Sequence, residues 1–123
     1  MLFRSLERMV KLAKGQGVRL VFFTLPSPLK PDMDPLDVKK LYFPYYTYNL
    51  KRFALAYQRY NDVIREVARA EGVPVVDLAA RLRDHGALFM DTSHPTCEGH
   101  GAVAAQIHRG LIELGILDRK SVV

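Results

Sequence analysis

The amino-acid sequence predicts an α/β protein in which parallel strands lie between layers of helices. Stretches with apolar residues at helical spacing alternate with two β-favouring runs, residues 18–25 and 73–78. Both runs are almost continuously apolar, which is typical of parallel strands covered on both faces. The order helix, strand, long loop, helix, strand, loop, helix requires crossover connections. We therefore expect one partial three-layer sandwich over residues 1–123.

The first helix is predicted to begin at Leu2 and to end at Gly15 and Gly17, because glycine readily adopts the left-handed conformation of a helix end. The strand that follows ends at Pro26, since proline lacks the amide hydrogen that a sheet needs. The apolar positions that we expect to form the core stripe of this helix are Leu2, Leu6, Met9 and Ala13, widened by Phe3 and Val10.

Residues 26–49 form a long loop that is rich in proline and aromatic residues. The repeated prolines prevent a long helix or a central strand there. A loop of this length within a compact domain is unusual and tends to be a lid, a binding loop or an insertion. Tyr42, Tyr45 and Tyr46 are therefore candidates for contact with a substrate. The alternative is that these rings cover the end of the sheet, and both roles are compatible.

The second half of the chain is predicted to contain two long helices, one short helix and the second strand. Asn49 is a suitable N-cap for a helix that Gly72 ends, and Thr96 is a suitable N-cap for the last helix. Asp77, at the end of the second strand, is predicted to cap a short helix over residues 78–83. The expected core positions of the two long helices are Phe53, Tyr57, Tyr60, Ile64 and Val67 in the first, and Val103, Ile107, Leu111 and Leu114 in the last.

The segment from Met90 to Pro95, Met-Asp-Thr-Ser-His-Pro, carries the clearest chemical signal. It places a carboxylate three residues before an imidazole, at the entrance to a predicted helix. If Asp91 accepts from one ring nitrogen of His94, it fixes the tautomer and stabilises the cation, and the other nitrogen is free to take a proton from a nucleophile. The segment also falls at the carboxyl ends of the predicted strands, where sites form in parallel sheets. Asp91 and His94 are therefore the candidate catalytic residues.

Composition restricts the class of protein and of partner. The hydrophobic fraction of 49% and the charged fraction of 25% are those of an ordinary globular domain. The net charge of +5 would suit nucleic acid, but acidic residues are interspersed with the basic ones along three helices, so we favour a solvated surface and expect no nucleic-acid partner. No apolar run approaches the roughly 18 residues that span a bilayer. The single Cys97 excludes an internal disulfide.

A zinc site is an alternative use of the same segment. Four residues spaced by threes include residue types that bind zinc: Asp91, His94, Cys97 and His100. We expect no metal and no cofactor, because His100 shares a predicted helix face with Val103 and is expected to be packed. Cys97, at the start of the helix, is expected to be a small apolar filler.

The chain resembles the C-terminal part of the SGNH hydrolases, also called the GDSL esterase/lipase family. The similar segments are Thr24-Leu25-Pro26, Tyr60-Asn61, residues 71–78 (Glu-Gly-Val-Pro-Val-Val-Asp-Leu), residues 89–96 (Phe-Met-Asp-Thr-Ser-His-Pro-Thr), Gly99-His100 and Ala104. Asp-x-x-His alone is a weak motif. Between such a strand and a helix that opens Thr-x-x-Gly-His, it is considerably more specific.

The resemblance implies an SGNH or flavodoxin-like α/β fold and Ser–His–Asp acyl transfer on esters, most often of lipids or carbohydrates. Asp91 would orient His94, which would act as general base and then as general acid. The family's nucleophilic serine lies in a Gly-Asp-Ser-Leu block after the first strand. That block, the oxyanion-hole glycine and the Gly-x-Asn-Asp block do not occur here. Ser27 is the serine at a strand end, and it is the candidate nucleophile, although Pro26 and Pro28 replace the glycine-lined turn.

We therefore expect this chain to correspond to the C-terminal portion of a family domain, with the missing half upstream or on another chain. The predicted function is ester hydrolysis in which this chain supplies the Asp-x-x-His part and is inactive alone. The alternative is a non-catalytic α/β fragment or an interaction module. Two parallel strands would leave both edges of the sheet unpaired, so we also expect self-association through these edges.

Overall fold

The computed structural model describes residues 2–34, 38, 41, 49–118 and 120. In this part of the chain the elements follow the predicted order. They are α1 (Leu2–Gly15), β1 (Phe22–Phe23), α2 (Leu50–Glu71), β2 (Val75–Val76), α3 (Leu78–Arg81), a short 3-10 helix (Gly86–Leu88) and α4 (Cys97–Glu113).

The two strands form a parallel sheet that has helices on both faces. Phe22 pairs with Val75, and Phe23 pairs with Val76. Because side chains alternate along a strand, the first pair faces one helix layer and the second pair faces the other. Phe22 is buried in a cluster with residues of α1 and α2. Val76 lies against Gly110 of α4, where an added Cβ would be 2.5 Å from a Val76 methyl group. This arrangement confirms the predicted α/β class and its three layers.

The main core lies between α1, α2 and the sheet. Val10 of α1 and Val67 of α2 are almost completely buried at its centre. Full burial of one such side chain contributes roughly 1.5–3 kcal/mol, so this cluster holds the first helix layer on the sheet. The buried members are Leu6, Val10, Phe22, Ile64, Val67, Ala68 and Val73.

The helix ends follow the predicted capping residues. The side chain of Asn49 accepts a hydrogen bond from the backbone N–H of Arg52 at 3.0 Å and caps α2. Gly72 ends the same helix in the left-handed conformation, with φ of 65°. The hydroxyl of Thr96 accepts from the N–H of Gly99 at 3.0 Å and caps α4. These contacts satisfy backbone donors and acceptors that a helix cannot pair internally.

Four predicted core positions are wrong. Met9 of α1 and Tyr60 of α2 are 53% and 41% exposed, and Phe3 of α1 and Leu114, just beyond α4, are also exposed. The reason is that each helix buries a narrower line of residues than helical spacing predicts, and in α1 this line is Leu6 and Val10. Gly110 forms the close contact of α4 with the sheet, and Ala54 is almost completely buried in α2.

Both strands are shorter than the runs 18–25 and 73–78 that predicted them. Beyond the assigned pairs, the N–H of Thr24 still donates to the carbonyl of Val76 at 3.3 Å, but the ladder ends there. The second run limits the sheet, because Pro74 has no N–H to donate and Asp77 already caps α3. A β-favouring sequence extends as a strand only as far as its neighbour can pair with it.

The described part of the 26–49 loop packs on α2. Leu29 and Leu41 form a second, smaller buried cluster with Ala54. The aromatic residues Tyr42, Tyr45 and Tyr46 lie outside the described residues. None of the described helices is both long enough and apolar enough to cross a membrane.

Candidate active site

The Asp91–His94 segment lies in a loop that closes on itself. Phe89 and Pro95, on its two sides, form an isolated antiparallel bridge. Within the loop, the N–H of Met90 donates to the carbonyl of His94 at 2.8 Å. The loop leaves the 3-10 helix and leads directly into α4, so its two ends are held by regular structure.

The Asp91 carboxylate organises this loop. Its Oδ1 accepts from the backbone N–H groups of Ser93 and His94, both at 2.8 Å. Its Oδ2 lies 2.7 Å from Nδ1 of His94. The Ser93 N–H is the largest of the contacts that hold the pKa of Asp91 below its ordinary value, and the amide and ring of His94 act in the same direction. The carboxylate is therefore ionised at neutral pH, and in this form it accepts all three hydrogen bonds.

His94 presents its ring to solvent. Its side chain is 72% exposed, whereas that of Asp91 is 30% exposed. The bond to the carboxylate requires a proton on Nδ1, so Nε2 of the neutral ring carries the free lone pair. With the described residues, Nε2 makes no hydrogen bond. A ring in this state is able to take up a proton at Nε2 and to release it again.

Ser93 does not meet this free nitrogen. Its Oγ lies 3.4 Å from Nδ1 of His94, the nitrogen that is already bonded to Asp91. A serine that gives its proton to the imidazole must contact the unprotonated nitrogen.

Ser27 lies beside the loop. Its hydroxyl donates to the carbonyl oxygen of Thr92 at 2.6 Å and accepts from the N–H of Leu29 at 3.2 Å. The residue is only partly accessible and lies just beyond the carboxyl end of β1. Among the described contacts, none joins Ser27 to the ring of His94.

Tyr57 of α2 is half-buried, as its predicted core position requires. Burial raises the pKa of the Tyr57 phenol, the side chain of Ser93 lowers it, and the charge of Asp91 raises it; the net change is upward. The phenol is thus neutral at neutral pH. Its ring packs edge-on against Phe53, with ring centroids 5.7 Å apart. Helical spacing predicted this packed position of Tyr57.

A second aspartate, Asp77, connects the carboxyl ends of the two strands to α2. Its carboxylate accepts from the hydroxyl of Thr24 at 2.7 Å and from Nε and Nη2 of Arg65, both at 2.9 Å. It also caps α3 through the N–H of Ala80, as predicted. Burial alone would raise the pKa of Asp77, but the hydrogen bonds from Arg65 and Thr24 outweigh it and lower the pKa. Asp77 has no described contact with the loop of Asp91.

A polar cavity of about 710 Å³ opens at the carboxyl ends of the strands. Ser27 and Tyr57 line it together with Asn61, Arg65 and Arg83, among others. Ser27 also donates a hydrogen bond to Thr92, so the Asp91–His94 loop adjoins the cavity at this residue, although none of residues 90–95 lines the cavity.

The described residues contain no group of three or more side chains placed to hold a metal ion. His100 and Cys97 are both exposed, which corrects the expectation that they are packed. The reason is that α4 turns a different face inward. Its buried positions are Gly99 and Gly110, where added Cβ atoms would overlap the carbonyl of Leu88 and the side chain of Val76.

The described elements form a partial α/β fold with a parallel sheet between helices. The chain matches the GDSL-like Lipase/Acylhydrolase family over residues 2–102 and belongs to that family. The resemblance found in the sequence is thereby confirmed. No curated protein matches the chain. Family membership supports a hydrolase or esterase type of function with an ester as substrate.

Proposed function

We propose that Asp91 and His94 are the acid–base pair of an ester-hydrolysing site. The observation that carries the proposal is the 2.7 Å contact between Oδ2 of Asp91 and Nδ1 of His94, on a ring that leaves Nε2 accessible. The carboxylate holds the tautomer in which Nε2 is a base, and it stabilises the imidazolium that forms when the proton arrives.

In the proposed reaction, Nε2 of His94 takes the proton of a serine hydroxyl while the serine oxygen attacks the ester carbonyl carbon. The tetrahedral intermediate then collapses, the bond to the alcohol breaks, and the imidazolium gives its proton to the departing alcohol oxygen. Water repeats the sequence on the acyl-enzyme and releases the acid. Asp91 remains ionised throughout, in keeping with its lowered pKa.

The serine and the oxyanion donors are proposed to come from polypeptide outside this sequence, upstream or on another chain. Two observations support this. Ser27 commits its hydroxyl proton to the carbonyl of Thr92, and Ser93 contacts the wrong nitrogen of His94. The glycine-rich blocks that would aim backbone donors at an oxyanion are also missing from the sequence. One such donor is worth on the order of 3 kcal/mol in the transition state.

Hydrolysis of p-nitrophenyl acetate tests this proposal. The 123-residue chain should show no turnover that depends on His94. A longer polypeptide with an in-frame Gly-Asp-Ser and Gly-x-Asn-Asp block should turn the ester over, and His94→Ala should reduce its kcat by roughly 10³-fold or more. The matched control is His85→Ala, because His85 is an exposed histidine in a turn.

If the 123 residues alone show a robust rate that His94→Ala abolishes, the nucleophile lies within them, and Ser27 is the first to replace. If the longer polypeptide is inactive, the alternative is favoured: a non-catalytic α/β module in which Asp91 serves only to close its loop. In either active case, Tyr42, Tyr45 and Tyr46 are the proposed substrate contacts, to be tested by their effect on KM.

We also propose that the chain self-associates through the open edges of its sheet. Within the described residues, β1 and β2 pair only with each other, so each has one edge without a strand partner. At Leu25 that edge is closed, because the Asn61 side chain accepts from its N–H at 2.8 Å and donates to its carbonyl at 3.0 Å. Sedimentation velocity over a range of concentrations should show dimers or larger species, and a monomer throughout would refute it.

A further inference from the structure

We propose that the outer side of the α1–α2 layer is a docking surface for an anionic lipid membrane. This surface, the basic face, consists of exposed side chains: Arg4, Arg8, Met9, Lys11 and Leu12 on α1, and Arg52 and Leu55 on α2. The helices lie on the membrane surface, and the apolar side chains enter the boundary between headgroups and acyl chains. Binding of this kind is independent of the acid–base function proposed for Asp91 and His94.

Three cations of α1 lie on the side that faces away from the core. Arg4 and Arg8 each precede a buried residue, Leu6 and Val10, by two positions. Since successive helical residues are rotated by about 100°, a separation of two positions places side chains on opposite sides of the helix. Lys11 follows Arg8 by three positions and is its neighbour on the outer side. α1 therefore carries a row of exposed cations.

The acidic residues of the two helices do not neutralise this row. Those of α2 pair with other cations: Asp62 with Arg65, Glu66 with Arg59, and Glu71 with Lys14. Glu7 is the single acidic residue of α1, and it is half-buried. Within the described part of the chain, no ion pair involves Arg4, Arg8 or Lys11. The charges that alternate in the sequence thus separate in the structure into ion pairs and a row of unpaired cations.

Apolar side chains protrude beside these cations. Leu12 is 67% exposed, and it follows Arg8 by four positions, so the two are neighbours on the helix surface. Met9, which is also exposed, stands three positions before Leu12. On α2, the exposed Leu55 follows Arg52 by three positions and repeats the combination. These side chains gain little from packing within the chain, and their removal from water is favourable.

Both helices present these side chains on the same side of the molecule. They lie in one layer, because each contributes to the buried cluster that contains Phe22. The Lys14 ammonium, near the end of α1, donates to the carbonyl of Glu71, at the end of α2, at 2.9 Å. The two helices therefore run side by side. α4 contacts Val76 on the opposite face of the sheet and contributes nothing to the basic face.

An anionic membrane matches both features of the basic face. Its headgroups attract the cations, and its acyl boundary accepts the apolar side chains. Nucleic acid would match the cations alone, since a phosphate backbone offers no apolar surface to Leu12 and Leu55. A protein partner would need an acidic group opposite each of three separate cations. Lipids diffuse within the membrane and can bring an anionic headgroup to each cation.

Flotation of the 123-residue chain with lipid vesicles tests the proposal, and it does not count protein that aggregates without lipid. Phosphatidylcholine vesicles with about 30% phosphatidylserine should carry the chain upward, and pure phosphatidylcholine vesicles should not. Arg8→Gln should lower the partition coefficient by about fivefold, the effect of one cation near such a surface. Arg109→Gln is the matched control, because Arg109 is an exposed arginine of α4 and its loss changes the net charge equally.

Two substitutions of Leu12 test the apolar part of the contact. Leu12→Gln should lower the partition coefficient by about tenfold, since a leucine then no longer leaves water. The chain contains no tryptophan, so Leu12→Trp introduces a single fluorescent reporter, whose emission should shift to shorter wavelength on anionic vesicles. Leu114→Trp is the matched control, because Leu114 is exposed just beyond α4 and its emission should not shift.

Three results would overturn the proposal. The first is equal flotation with neutral and anionic vesicles, or equal losses in Arg8→Gln and Arg109→Gln. The second is tight binding of a DNA duplex that Leu12→Gln leaves unchanged, which would identify a nucleic-acid surface. The third is an emission shift of Leu12→Trp that grows with protein concentration without lipid, which would show that a second copy covers α1. Circular dichroism checks that each variant is folded, and Lys11→Gln replaces Arg8→Gln if that variant is not.

Discussion

Asp91 and Asp77 carry the same functional group in two contrasting settings. Both accept several hydrogen bonds, both have a nitrogen-bearing partner side chain, and both have a lowered pKa. The partners of Asp91 lie within three residues of it. Asp77 also has one local partner, the N–H of Ala80, but its side-chain partners Arg65 and Thr24 lie 12 and 53 residues away. One carboxylate therefore builds a loop, and the other joins separate elements of the fold.

The partner side chains of the two aspartates, His94 and Arg65, also differ in exposure and in chemistry. His94 is 72% exposed, so its ring can exchange a proton with a substrate. Arg65 is 32% exposed, remains charged, and binds Asp77 through two parallel N–H···O contacts. The local contacts of Asp91 thus produce a pair suited to proton transfer, whereas the long-range contacts of Asp77 produce a pair that holds elements of the fold together.

The largest effect should come from disrupting the contact between Gly99 of α4 and Leu88, which precedes the Asp91 loop. A Cβ at Gly99 would overlap the carbonyl oxygen of Leu88, which cannot move without displacing the loop. Gly99→Ala should therefore lower the free energy of unfolding by about 3 kcal/mol, measured by urea denaturation. Gly101→Ala is the matched control, because nothing lies within 4 Å of its added Cβ. It should stabilise α4 slightly, since alanine favours helices.

The next effect should come from the Asp77 contacts. Arg65→Met leaves a partly buried carboxylate without its two-point partner, and the free energy of unfolding should fall by about 2 kcal/mol, less than for a fully buried pair. Arg59→Met is the control, because the Arg59–Glu66 ion pair is exposed and should contribute less than about 0.5 kcal/mol. Equal losses in the two variants would show that Asp77 is no more structural than a surface carboxylate.

The pH dependence of stability should also distinguish the Arg65–Asp77 contact from the exposed Arg59–Glu66 ion pair. A carboxyl group whose pKa is lower in the folded state stabilises the protein above its unfolded pKa, about 3.9 for Asp. That contribution is lost as the pH falls through the folded pKa, since the unfolded chain then binds more protons. Asp77 and Asp91 both act in this direction. Unfolding by urea between pH 5 and 2.5 should therefore be less pH-dependent in Arg65→Met than in the wild type, while Arg59→Met follows the wild type.

The smallest effect on stability should come from His94. Most of its ring is in solvent, and its ion pair with Asp91 is local, so His94→Ala should change the free energy of unfolding by no more than about 0.5 kcal/mol. The same substitution should abolish ester turnover wherever the site is complete. A loss of stability as large as that of Arg65→Met would remove the distinction between the two aspartates.

Features encoded by neighbouring residues could be predicted well. The order of helices and strands follows from local periodicity, and the caps at Asn49 and Thr96 are contacts over three residues. The Asp91–His94 contact is equally local, because it joins two residues that are three positions apart in one loop. The roles of Asp91 and His94 in catalysis remain predictions for the experiments above.

Features that depend on which elements meet could not be predicted. Helical spacing places Met9 and Tyr60 on core faces, but the exposed side chains show that the contacts of α1 and α2 run along narrower lines. The hydroxyl of Ser27 binds a carbonyl 65 residues away, and no local pattern encodes such a partner. The strands are shorter than predicted for the same reason, since a ladder extends only where both strands can pair.

By itself, the sequence determined the α/β class, the helix ends and the spacing that lets one carboxylate reach one imidazole. Tertiary structure alone decided that Arg65 and Thr24 converge on Asp77, that α4 approaches the sheet through Gly110, and that Ser27 bonds to the loop. The physical reason is the range of the interactions. Backbone geometry fixes contacts over a few residues, whereas contacts between distant residues form only when the packing of whole elements brings them together.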